Sequence, residues 1–120
     1  MAHGELTHID IPADDLARAK RFYKEIFGWD IAQLPDMPDF ELFMSGPGDA
    51  GGGIGIRGKT APEQARTYFL VDSIEDALAK AERLGGRIIV PRTEVPGHGY
   101  YAALTDSEGN EIGLWEHLPA

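Results

Sequence analysis

From Asp14 to Phe27, the apolar residues Leu16, Ala19, Phe22, Tyr23 and Ile26 recur at the three- and four-residue spacing of one helix face. Asp14 or Asp15 can accept the free N–H groups of the first turn, and Gly28 can end the helix. A second helix is predicted from about Ile74 to Leu84, with Ile74, Ala77, Leu78, Ala81 and Leu84 on one face. Ser73 with Asp76 resembles a capping box, and Gly85-Gly86 supplies the stop. The remaining apolar segments are short enough for strands. "LTHIDI" and "RTYFLV" each precede a helix, and "WDIAQL" and "GRIIV" each follow one. "FELFM" and "YYAAL" come next, and "GGIGIR" and "EIGLWE" close each half. Both halves therefore read strand, helix, strand, strand, strand.

The halves overlay without gaps at an offset of about 58 residues. Asp14 then meets Asp72, Ala19 meets Ala77, Gly28 meets Gly86, and Ile54-Gly55-Ile56 meets Ile112-Gly113-Leu114. Two copies of one βαβββ module follow, at about residues 5–58 and 64–117, within a single domain covering 1–120.

Strand alternation assigns the faces. If Ile9 and Ile11 pack under the first helix, His8 and Asp10 point to the other side. If Phe69 and Val71 pack under the second, Arg66 and Tyr68 point away from it. Ile112 and Leu114 belong to a helix-covered face, which leaves Glu111, Gly113 and Trp115 opposite. The offset pairs His8 with Arg66 and Gly55 with Gly113.

Composition narrows the class without changing this picture. A hydrophobic content of 42% with 26% charged residues is that of an ordinary globular chain. Twenty acidic against eleven basic residues, a formal charge of -9, would repel a nucleic acid or an anionic membrane, so neither is an expected partner. No signal segment is visible at the N-terminus and there is no cysteine, so a cytoplasmic location is expected and thiolate chemistry is excluded. "GPGDAGGGIGIRG" lacks the Lys-Ser/Thr pair and following helix of a phosphate loop, and is expected to be a flexible turn into the last strand of module one.

"HIDIPADDLARAKRFYKEIFGW", "YFLVDSIEDALAKAERLGGRII" and "LTDSEGNEIGLWE" resemble the vicinal oxygen chelate superfamily, the group of glyoxalase I, bleomycin-resistance proteins and extradiol dioxygenases. The likeness runs from about Leu6 to Glu116. It implies an α+β fold in which the two modules form a curved mixed sheet around a cavity, and it implies a homodimer. In metal-dependent members, His or Glu ligands come from the first and last strands of both modules. Those positions fall here on His8, Gly55, Arg66 and Gly113.

Of these four only His8 has a lone pair to give a metal. A catalytic ion normally takes about three protein ligands, so the family's usual metal is not expected, nor is another cofactor. A divalent metal held by relocated ligands such as His98 or Glu111 is the alternative. The two glycines are expected to enlarge the cavity. The reading favoured is a protein that binds a small aromatic or anionic organic molecule, with His8, Arg66, Tyr68, Tyr100, Glu111 and Trp115 as binding residues. Tyr101 competes with Tyr100 for a place in the aromatic wall. A second reading is a metal-independent lyase or isomerase with His8 as acid or base and Arg66 stabilising negative charge. A third is a metal-dependent lyase or dioxygenase.

Overall fold

The computed structural model describes residues 2–45 and 50–119. Residues 46–49 of the glycine-rich stretch lie outside the described residues, so the expected turn there is not described. Ten elements follow in order: β1 (Leu6–Ala13), α1 (Leu16–Phe27), β2 (Ile31–Gln33), β3 (Phe40–Met44), β4 (Gly51–Ile56), β5 (Arg66–Leu70), α2 (Ile74–Arg83), β6 (Arg87–Val95), β7 (Gly99–Thr105) and β8 (Glu111–His117). The protein is α+β, built from two βαβββ modules, as the patterning predicts. The chain divides into two compact units, His8–Arg66 and a second made of Met1–Thr7 with Thr67–Ala120.

In the first unit β1 pairs parallel with β4, β4 antiparallel with β3, and β3 antiparallel with β2. The second unit repeats the scheme: β5 pairs parallel with β8, β8 antiparallel with β7, and β7 antiparallel with β6. The strand pairing within each unit is thus mixed, and its helix is the crossover a parallel pair requires. The opening residues of the chain belong to the second unit, where the Leu70 N–H donates to the Glu5 carbonyl and the Thr7 hydroxyl to the Tyr68 carbonyl.

Both helices begin and end on the residues expected of them. The Asp15 carboxylate accepts the Arg18 N–H at the start of α1, and Gly28, at φ 71°, closes it with a bond to the Lys24 carbonyl. Ser73 accepts the Asp76 N–H at the start of α2. Ile11, Ala13, Ile31, Phe43 and Ile54 form the core of the first unit, with Leu16, Ala19 and Tyr23 of α1 laid against it. In the second unit Val71, Ile74, Leu78, Ala102, Leu104 and Leu114 do the same. Ile54 and Ile74 are fully enclosed, and each such burial stabilises by roughly 2 kcal/mol. The helices differ in one respect: α2 buries Ile74 and Leu78, whereas α1 buries no residue completely.

One strand exceeds its expectation. "GRIIV" stops before Pro91, yet β6 continues through it to Val95. Its pairing with β7 shifts register between Ile88 and Val90 and again between Val90 and Thr93. Pro91 falls within the second irregularity, where a missing N–H costs no ladder bond. No helix among the described residues is long and apolar enough to cross a membrane.

Candidate functional site

In the first unit the residues opposite α1 are dictated by β1. Ile9, Ile11 and Ala13 point into the α1 core, so His8 and Asp10 emerge on the other face, as alternation requires. The His8 Nε2 stands 3.8 Å from the Asp10 Oδ1, and the two side chains are 29% and 18% exposed. Burial lowers the His8 pKa below its ordinary value, and the neighbouring Asp10 carboxylate opposes that shift without cancelling it. That burial favours the neutral imidazole. Arg66, at the start of β5, is 8% exposed.

The glycines of β4 do not leave room. A Cβ on Gly55 would lie 2.7 Å from the Thr60 carbonyl oxygen and 2.9 Å from its Oγ1. Thr60 is fixed there by its hydroxyl, which accepts the Ile56 N–H at 2.8 Å and donates to the Asp39 carbonyl. Asp39 itself takes a left-handed φ of 63° and pairs with Lys59 at 2.7 Å. A Cβ on Gly53 would lie 2.6 Å from Cε1 of the Phe40 ring, and one on Gly51 would lie 3.1 Å from the Met44 Sδ. Side chains of β3 and of the turn after β4 thus lie across the glycine backbone.

The second unit repeats this with aromatic rings. Tyr68 is paired with Gly113, Ala103 with Gly113, and Tyr101 with Trp115, so these side chains share one face with Glu111. The Tyr68 ring lies against the Gly113 backbone: an added Cβ would be 2.8 Å from its Cγ and closer still to Cδ2 and Cε2. Tyr68 is 3% exposed and meets Tyr101 edge to face at 6.5 Å. The Trp115 indole lies over Gly99 in the same manner, 2.7 Å from where a Cβ would stand. The Tyr68 and Trp115 rings thus rest on glycine, and Tyr101 joins them on the same face.

Two expectations need correction. The glycines at 55 and 113 do not enlarge an opening, because Thr60 and Tyr68 fill the space their side chains would take. Tyr100, counted among the binding residues, lies on the opposite face and packs against the α2 core. Its neighbour Tyr101 takes the place expected of it, since adjacent strand residues point to opposite faces. The Arg92 guanidinium covers the Tyr100 ring at 3.7 Å and forms an ion pair with Glu116 at 2.8 Å. Glu116 also accepts the Ile74 N–H at the start of α2 at 2.8 Å, and these contacts, led by Arg92, hold its carboxyl below the usual range. Glu116 thus ties β8, β6 and α2 together on the helix side.

Glu111 is half-buried on the Gly113 face, and His98 is exposed in the turn before β7, with its N–H bonded to the Val95 carbonyl. Sequence reasoning missed Thr60 and Phe40. Alternation along "FELFM" carries a signal for Phe40, because Phe43 is the residue committed to the α1 core. Thr60 carries none: it reaches Gly55 only through the turn that Asp39 anchors.

The family model described as Glyoxalase/Bleomycin resistance protein/Dioxygenase superfamily matches residues 5–114. A "Glyoxylase-like domain-containing protein" of Didymella fabae is 30% identical over 119 residues, covering 90% of each chain. "Putative glyoxylase CFP32" of Mycobacterium tuberculosis is 28% identical over 114 residues, covering 90% of this chain but 44% of that protein. The chain therefore spans less than half the length of the mycobacterial relative. Among solved structures, a Mn(II)-bound glyoxalase from Novosphingobium aromaticivorans superposes with a TM-score of 0.69 at 14% identity, over 95% of this chain and 39% of that one. Methylmalonyl-CoA epimerase from Mycobacterium tuberculosis superposes with a TM-score of 0.67 at 15% identity, over 96% and 89%. At these identities the two structures speak for the fold alone.

Proposed function

Because the chain belongs to the Glyoxalase/Bleomycin resistance protein/Dioxygenase superfamily, we propose that it uses the family scaffold to bind a small organic molecule with aromatic character, without the metal of its metal-dependent relatives. The observation that carries this reading is the Tyr68 ring lying on Gly113. Buried itself, it backs the half-buried Tyr101 and shares its face with the half-buried Trp115, which offer flat apolar area with polar edges, the lining that small-molecule sites favour. The donor set does not fit a metal. Of the four family ligand positions only His8 has a donor lone pair. A carboxylate at position 113 would also have to displace Tyr68. Arg66 adds a fixed positive charge to the chain's inventory, which favours ligands that carry a carboxylate or enolate.

The test is a fluorescence titration with 1-naphthoate and its uncharged analogue naphthalene. Trp29 stacks between Tyr23 and Phe43 on the α1 side, so a Trp29→Phe version isolates the Trp115 signal. A saturable change with 1-naphthoate, lost in Tyr101→Ala, is the expected result. No saturable change with either probe up to millimolar concentration would overturn the reading.

One observation favours a second reading, a metal-independent lyase or isomerase. Burial disfavours the protonated form of His8, which lies beside Asp10, and this suits a general base. In that reading His8 takes a proton from carbon next to a carbonyl, and Arg66 stabilises the resulting enolate. Exchange of substrate hydrogen with deuterated solvent, absent in His8→Asn, distinguishes turnover from binding alone.

A further inference from the structure

The second register shift between β6 and β7 lies beside the aromatic face of module two. Just past it Thr93 pairs with Tyr101, which pairs in turn with Trp115. Register partners point to one side of a sheet, so Thr93 stands on the face of Tyr101 and Trp115, one strand further out. Like them it is half-buried. The Trp115 indole extends over Gly99 of β7, whose partner on β6 is Val95. Thr93 and Val95 therefore border this aromatic surface along β6, while on the other side of Trp115 the row continues to the buried Leu70 of β5. Of these border residues only Thr93 has a side chain that can hydrogen-bond.

The Thr93 hydroxyl gives its one proton to the Pro91 carbonyl at 2.7 Å, a bond that spans the irregular part of β6. Oγ1 is left with acceptor capacity alone. The strand is also held from behind, because Arg92 projects to the opposite side, covers the Tyr100 ring and pairs with Glu116. Tyr100 and Glu116 are themselves register partners, and they are the chain neighbours of Tyr101 and Trp115. An acceptor is thus fixed beside two rings, and a polar group placed in this way sets orientation in a mostly apolar site. We propose that Thr93 determines the specificity of this face, and that the ligand is an aromatic molecule with a hydroxyl or amino donor at the ring edge facing β6. The inference rests on the reading of the aromatic face as the binding surface. An acceptor substituent at that edge would meet the lone pairs of Oγ1, or would take its proton and leave the Pro91 carbonyl without that bond.

Isothermal titration calorimetry of the full chain tests the proposal. The probes are 1-naphthoate, hydroxy-1-naphthoates substituted away from the carboxylate, and their methoxy counterparts, which keep the oxygen and lose the donor. At least one hydroxy isomer is expected to bind about tenfold more tightly than its methoxy counterpart, the scale of one hydrogen bond. Thr93→Val keeps the shape and removes the acceptor, so the ratio should fall to about twofold or less, whereas Thr93→Ser should retain it. The amino-1-naphthoates, set against their dimethylamino forms, show which of the two donors is preferred. The comparison on the unaltered chain stands whether or not Thr93→Val folds, which circular dichroism establishes. Binding of 1-naphthoate with no hydroxy or amino isomer favoured overturns this inference and leaves the aromatic site in place. A preference that survives Thr93→Val does the same. Absence of binding by every probe overturns both readings.

Discussion

Tyr68 and Gly113 behave as one unit, because the ring uses the volume a side chain at 113 would need. Gly113→Ala is expected to destabilise the fold by about 2 kcal/mol in urea unfolding, as overpacking does. In a Tyr68→Val background, which removes the ring, the same substitution should cost less than about 0.5 kcal/mol, because contacting residues couple. Equal costs in both backgrounds would show that the ring does not hold this position. His8 supplies a second prediction. Its folded pKa lies below 6.5, so the unfolded chain takes up the proton first as pH falls. The stability it contributes is complete above 6.5 and is lost as pH drops through the folded value. His8→Asn should remove that part of the decline. Asp10 raises the His8 pKa, so Asp10→Asn should lower it further in an NMR titration. Alternation alone places His8 and Asp10 on one face. Their separation, and the occupants of the glycine positions, depend on side chains distant in sequence and are not legible there.

At the scale of elements, the helices and the repeat could be read from spacing because caps and apolar stripes are local signals. Asp15, Gly28 and Ser73 take the roles their residue types suggest. What was not legible is set by pairing. Choosing between Tyr100 and Tyr101 requires the register of β7 on β8, and β6 runs past Pro91 because two register shifts make a place for it. The contacts of Glu116 join three elements and could not be read from β8 alone. Glu116→Gln keeps the shape but loses the charge opposite Arg92 and weakens the bond to the α2 N-terminus. A loss of about 1 kcal/mol is expected, since much of the ion pair is open to solvent. The lowered Glu116 pKa means this contribution is present above the ordinary carboxylate value and disappears as pH falls through the folded one. Urea unfolding of both proteins at pH 7 and near pH 3 should therefore show a difference at the first and little at the second.

For the molecule as a whole, the two modules share one scaffold, and their differences carry the functional argument. Module one presents the His8–Asp10 pair, and module two presents Tyr68, Tyr101 and Trp115. Of the four ligand positions that the family resemblance implies, only His8 has a side chain with a donor lone pair. The most direct measurement is the metal content of the purified chain after loading with zinc, nickel, manganese and iron(II) and exhaustive dialysis. With one donor among the four ligand positions, less than about a tenth of an ion per chain is predicted. Close to one tightly held ion per chain would contradict the account.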